Sequence, residues 1–273
     1  MAALRVAPKT FARRYRQSAK ELLKPTMDLP HDLQPETIHD LRVAARRTLV
    51  MRRLLSRRTR KSPDSKIFDL SLKSLLKATS RVRDLDILTM TLGTDRASLP
   101  DDLFKSLEDE RSLAATGARA AIRVISKAPP AAISPSEIDD KKLSRRLRRR
   151  VETRAQSVKD MLGAVLDDES KVKELHALRI AVKKLRYLLE LADGNPPEAS
   201  VVAEWQDSLG WIHDLDVAES YVQSSRWNFA KESALHELRR RRHQGYLRFV
   251  RKYREDLARR LKKSRILGKS ASY

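Results

Sequence analysis

Ten residues, Ile38-His39-Asp40-Leu41-Arg42-Val43-Ala44-Ala45-Arg46-Arg47, come back once, as Leu175-His176-Ala177-Leu178-Arg179-Ile180-Ala181-Val182-Lys183-Lys184. Aligned, the two stretches read His-x-Leu-Arg-(Val/Ile)-Ala-x-(Arg/Lys)-(Arg/Lys). Their offset, 176 − 39, is 137 positions, about half of the 273 residues. A self-match at a fixed spacing constrains the fold strongly, because it requires one structural unit used twice.

At about 100° per residue, with His39 as the origin, Arg42, Arg46 and Arg53 fall within about 60° on one side of a helix. His176, Arg179 and Lys183 occupy the same arc in the second copy, with Arg186 at its edge. The opposite side is apolar: Leu41, Ala44, Met51 and Leu55 in one copy, Leu178, Ala181, Leu185 and Leu188 in the other. Solvated helix faces ordinarily mix signs. These rows are nearly all cationic, and there are two of them, which points to an anionic ligand.

The whole chain leans the same way. It carries 58 Lys+Arg against 36 Asp+Glu, a formal net charge of +22, and such an excess implies a polyanionic partner. Cysteine is absent, which excludes disulfides and thiolate metal sites and fits a reducing, cytoplasmic setting. No apolar run approaches the roughly 18 residues that span a bilayer, so no membrane partner is expected. The first residues lack the hydrophobic core of a signal peptide.

Prolines divide the chain into segments with a 3.6-residue period and no strand-like alternation. The pattern predicts an all-α protein. The expected helices are Lys9–Leu23, stopped by Pro25; Pro35–Arg58; Ser62–Leu92; Pro100 to before Pro129; Asp140–Leu166; one carrying the second His motif to Ala192; Glu198–Ser224; and Asn228–Lys263. Four helices twice over suggest two four-helix bundles. The expected division is a first bundle over 1–128, a Pro-rich linker over 129–139, a second bundle over 140–265 and a disordered tail over 266–273.

A second box repeats in the same order. Arg83-Asp84-Leu85-Asp86-Ile87 matches His213-Asp214-Leu215-Asp216-Val217 at an offset of 130 (214 − 84). Together, the two His motifs, the two Asp-Leu-Asp boxes and the approximate repeat resemble the CHAD (histidine α-helical) domain family over about Thr10 to Lys263. The resemblance implies two four-helix bundles related by a pseudo-two-fold axis. It also implies that inorganic polyphosphate binds in a basic groove or channel, with localisation to polyphosphate granules. The sequence departs from the family pattern at Leu49, which stands where Arg186 stands in the second copy. The first half therefore offers one cation fewer there, unless Arg52 or Arg53 compensates.

The expected site has Arg42, Arg46 and Arg53 from one half and Arg179, Lys183 and Arg186 from the other. Arg13 and Arg16 on the first helix, with Arg145 or Arg149 on the fifth, would line its sides. Arginine can bond two phosphate oxygens with one planar fork, whereas lysine supplies a point charge. Phosphate or sulfate ions would suit the same site. For His39 and His176 two roles stay open: donation to phosphate in the protonated form that a polyanion favours, or a neutral ring that anchors the helix start. Arg47 and Lys184 project about 80° from the histidines, toward the apolar arc, so pairing with Asp84 and Asp214 is expected.

Neither a metal nor a cofactor is expected. The His motif has no second ligand one turn on, and the aspartates of each box point about 200° apart. A Gly-rich phosphate loop is absent, so the chain reads as a binding module rather than an enzyme. Nucleic acid is the alternative partner. Against it, aromatic residues make up only 5% of the chain and are not interleaved with the basic motifs.

Overall fold

The computed structural model describes residues 4–27, 33–94, 99–128, 133–194, 196–224 and 231–268. Among these, every regular element is a helix. The helices are α1 (Pro8–Met27), α2 (Pro35–Leu54), α3 (Arg57–Lys61), α4 (Pro63–Ala78), α5 (Ser80–Gly93), α6 (Asp101–Ser126), α7 (Asp140–Val165), α8 (Val172–Leu189), α9 (Pro197–Ser224) and α10 (Lys231–Gly268). A 3-10 turn at Pro135–Glu137 precedes α7. The all-α expectation holds.

Local chemistry sets several of these bounds. Pro35 and Pro63 occupy first-turn positions of α2 and α4, where a missing N–H costs nothing. Ser62 caps α4 by accepting from the Ser65 N–H at 3.3 Å, and Ser56 caps α3 through the Thr59 N–H at 3.1 Å. Pro25 does not stop the first helix, which runs on to Met27.

The chain forms two compact units, Met1–Val151 with Glu190–Gly194, and Glu152–Leu189 with Asn195–Tyr273. The division falls inside α7, not at the Pro-rich segment 129–139, of which residues 129–132 lie outside the described residues. The first turns of α7 are bound into the first unit. Ser144 Oγ accepts from the Val6 N–H at 3.4 Å, while Arg146 and Arg150 each donate at 3.0 Å to the last carbonyls of α2, those of Leu54 and Arg53. Cations suit the negative end of a helix. The expected tail at 266–273 begins as helix, since α10 reaches Gly268; residues 269–273 lie outside the described residues.

In the first unit, α1 packs on α2 and α6, and α4 and α5 pack on α6. Its core joins Ile38, Leu41, Ala44 and Ala45 of α2 to Phe68, Leu72 and Leu75 of α4 and to Ala118, Ile122 and Ile125 of α6. In the second unit α9 packs against both α8 and α10. The buried stripe of α8 is Leu175, Leu178, Ala181, Val182, Leu185, Leu188 and Leu189, and the buried residues of α9 include Val202, Leu209, Ile212 and Leu215.

One expected helix is two. The stretch from Ser62 to Leu92 breaks at Thr79, the junction of α4 and α5. Thr79 Oγ1 donates back to the Leu75 carbonyl at 2.7 Å, a competing bond that bends helices. Its counterpart α9 runs unbroken for 28 residues.

Candidate functional site

In the second unit α8 and α9 bring four of the singled-out residues together. His176 lies exposed in the second turn of α8, and Arg179 and Lys183 follow it on the same face, each half-buried. Across from them His213 stands on α9. The two Nδ1 atoms are 3.2 Å apart, and the rings are 4.6 Å between centroids and tilted by 50°. One Nδ1 donates and the other accepts. His213 is pushed down to about 4, by burial first and then by the charges of Arg179, His176 and Lys183. The charges of Arg179 and Lys183, on the face of α8 that carries His176, thus join burial in holding the His213 ring of α9 neutral.

A clamp lies behind this cluster. Asp216, three residues after His213, accepts from Arg242 Nε of α10 at 2.5 Å. The same guanidinium donates from Nη2 to the Glu169 carbonyl at 2.8 Å, just before α8 starts. Burial raises the Asp216 carboxyl, against the lowering pull of Arg242. The Glu169 carboxylate in turn meets His243 Nδ1 at 2.8 Å.

The first unit builds the same clamp. Arg111 Nε of α6 donates to Asp86 at 2.6 Å, and its Nη2 donates to the Leu33 carbonyl at 2.5 Å, just before α2 starts. Asp86 and Asp216 are each the second aspartate of an Asp-Leu-Asp box. Sequence reading chose the first, Asp84 and Asp214, and missed this. The signal was there: Asp86 stands four residues after buried Val82, and Asp216 four after buried Ile212.

The cation faces differ between the units. Arg42 is only 6% exposed. Its Nη1 donates to the Leu76 carbonyl at 2.7 Å and to Thr79 Oγ1 at 2.8 Å. The expected surface cation is therefore an internal cap on the end of α4. His39 and Arg53 are exposed on α2 and Arg46 is half-buried, as are Arg83 and Leu49. Leu49 packs on the core. In the second unit Arg186 meets Asp207 at 3.4 Å.

Arg47 does not pair with Asp84. It meets Glu190 at 3.5 Å with 44% of its side chain exposed, and Asp84 accepts from Ser80 at 3.4 Å. The buried arc of α2 begins beyond Arg47, so no internal partner is needed. Lys184 is exposed on α8 and Asp214 half-buried on α9. Arg13 and Arg16 are exposed on α1, and Arg145 and Arg149 are exposed on the part of α7 that belongs to the first unit. Among the described residues no three of His, Asp or Glu are placed to hold a metal ion, and no helix is long and apolar enough to cross a membrane.

The CHAD domain profile matches residues 16–223. The chain belongs to the CHAD domain family. Two solved structures are similar in fold to this CHAD chain. One is the CHAD domain from the plant Ricinus communis, at 18% identity and a TM-score of 0.61 over 89% of each chain. The other is PptA from Streptomyces chartreusis, at 20% identity and a TM-score of 0.56, covering 91% of this chain and 99% of that one. No curated protein matches the CHAD chain.

Proposed function

We propose that this CHAD domain binds inorganic polyphosphate without transforming it, and that the α8–α9 cluster is its principal contact. The supporting observation is the 3.2 Å contact between His176 and His213, on a face of α8 whose Arg179 and Lys183 lower His213 by their charge. Arginine and lysine on one helix face suit a phosphate chain, the arginine through its two-donor fork and the lysine as a point charge. The exposed cations Arg53, Arg13, Arg16, Arg145 and Arg149, with half-buried Arg46, add to the basic surface of the first unit. In this reading the protein is cytoplasmic and joins polyphosphate granules.

The test is titration with polyphosphates of defined length, in competition with single-stranded nucleic acid. Polyphosphate should displace nucleic acid at equal charge concentration, and the reverse should fail. Affinity should fall steeply with salt, by about 0.7 of a logarithmic unit per contacted phosphate for each tenfold rise in salt. Displacement in the opposite direction would make nucleic acid the partner. Release of orthophosphate from the chain in the presence of Mg²⁺ would replace the binding module with an enzyme.

A further inference from the structure

The two part-buried clamps use the same atoms for the same purpose. In each unit one arginine joins the second aspartate of an Asp-Leu-Asp box through Nε and the carbonyl just before a His-motif helix through Nη2. A buried ion pair is weak grounds for stability, since apolar residues of similar volume often serve as well. What apolar residues cannot supply is direction. The planar guanidinium presents two donors at a fixed angle, so one group fixes the helix of the Asp-Leu-Asp box (α5 or α9) and the start of the His-motif helix (α2 or α8) relative to each other.

We propose that Asp216 with Arg242, and Asp86 with Arg111, are positioning pairs that aim the His-motif helices by holding the backbone carbonyl just before each. The proposal rests on the polyphosphate reading for its functional meaning. The lever is short. Side-chain heads ride about 6 Å from a helix axis, so a rotation of about 20° moves them about 2 Å. Such a shift of α8 would break the 3.2 Å contact between His176 and His213 and turn Arg179 and Lys183 away from the ring.

Two variants of the full chain test this, Arg242→Lys and Asp216→Asn. Lysine keeps the charge and loses the second fixed donor. The readout is the His213 titration followed by NMR, beside the affinity for polyphosphate of one defined length, at a temperature where circular dichroism shows the variant folded. In both variants His213 should titrate higher, moving from about 4 back toward its ordinary range. Loss of a carboxylate charge alone would move a neighbouring histidine the other way, so an upward shift reports lost geometry. Polyphosphate affinity should fall about tenfold, the scale typical of outer-shell partners of a binding site. Arg111→Lys, in the other unit, should leave the His213 titration as it is.

A lowered unfolding midpoint with an unchanged His213 titration and unchanged affinity would make the pairs purely structural and overturn the proposal. If the unsubstituted protein takes up no polyphosphate, the functional reading fails instead, and the His213 titration still decides whether the clamp aims α8. Should Arg242→Lys not fold, the near-isosteric Asp216→Asn carries both measurements.

Discussion

The two copies of the His motif keep the same buried stripe and differ in the fate of one arginine. In α2 it is Arg42, 6% exposed and bonded to the Leu76 carbonyl and Thr79. In α8 it is Arg179, half-buried, whose charge together with that of Lys183 lowers His213. The cause lies in the partner helix. α4 ends at Ala78, so carbonyls of its last turn accept from outside the helix. α9 is continuous and its carbonyls are occupied within the helix. A break in one helix thus accompanies the conversion of a half-buried cation into a cap on its neighbour. Duplicated sequence does not guarantee duplicated chemistry when the backbone opposite has diverged.

The Asp-Leu-Asp boxes on α5 and α9 complete the contrast. Arg83 stands in the first unit where His213 stands in the second. A permanent charge replaces a ring that burial and Arg179 hold neutral. The second unit can therefore respond to protons where the first cannot.

The largest expected effect separates Arg179 from Arg42. Replacing both Arg179 and Lys183 with methionine should weaken polyphosphate binding by at least tenfold. It should also flatten the salt dependence by about 1.4 logarithmic units per decade, two contacts at about 0.7 each, while leaving the urea midpoint nearly unchanged. Arg42→Met should do the reverse. It removes charge-assisted bonds to buried acceptors and should cost about 2 kcal/mol in urea unfolding, with polyphosphate affinity unaltered below the transition. Equal binding losses from both substitutions would erase the distinction between the units.

Next comes pH. His213 is lower in the folded protein, at about 4, than in an unfolded chain, near 6.5. Above about 6.5 the ring is neutral in both states and folding incurs no penalty. As pH falls from about 6.5 to about 4, the unfolded state takes up the proton first, so this group's contribution to stability is lost across that window. A bound polyanion favours the protonated ring, so polyphosphate affinity should rise as pH falls toward 5. His213→Arg, which copies the first unit, should reduce that rise and preserve binding at pH 7.5. Fluorescence anisotropy at a series of pH values measures both.

The smallest effect is assigned to Arg186. It meets Asp207 at 3.4 Å, and that carboxylate is 72% exposed. Pairs of this kind contribute little, so Arg186→Leu, which copies Leu49 of the first unit, should change affinity by about threefold or less.

Much of this was legible in the sequence. The helical class followed from period and proline, and the family from the repeated motifs. The grouping of His176, Arg179 and Lys183 on one face followed from helical geometry alone. Arg42 was misplaced because its angle lies at the rim of the buried arc. Whether a rim arginine turns out or in depends on acceptors across the interface, and those appeared only with the break at Thr79. Arg47 was misplaced for the opposite reason: the apolar arc of α2 is narrower than the residue pattern suggested. The Asp86 and Asp216 clamps were hidden because their arginines, Arg111 and Arg242, lie 25 and 26 positions further on. Arg242 sits within a run of four arginines that gives no sign of which one is buried.

The most direct test of the central claim is an NMR titration of the histidines with polyphosphate at pH 6. The account predicts that His213 and His176 shift together and that His213 gains a proton as the chain binds, while His236, exposed on α10, stays put. Tight binding that leaves His213 and His176 unmoved would place the anion elsewhere and contradict the account.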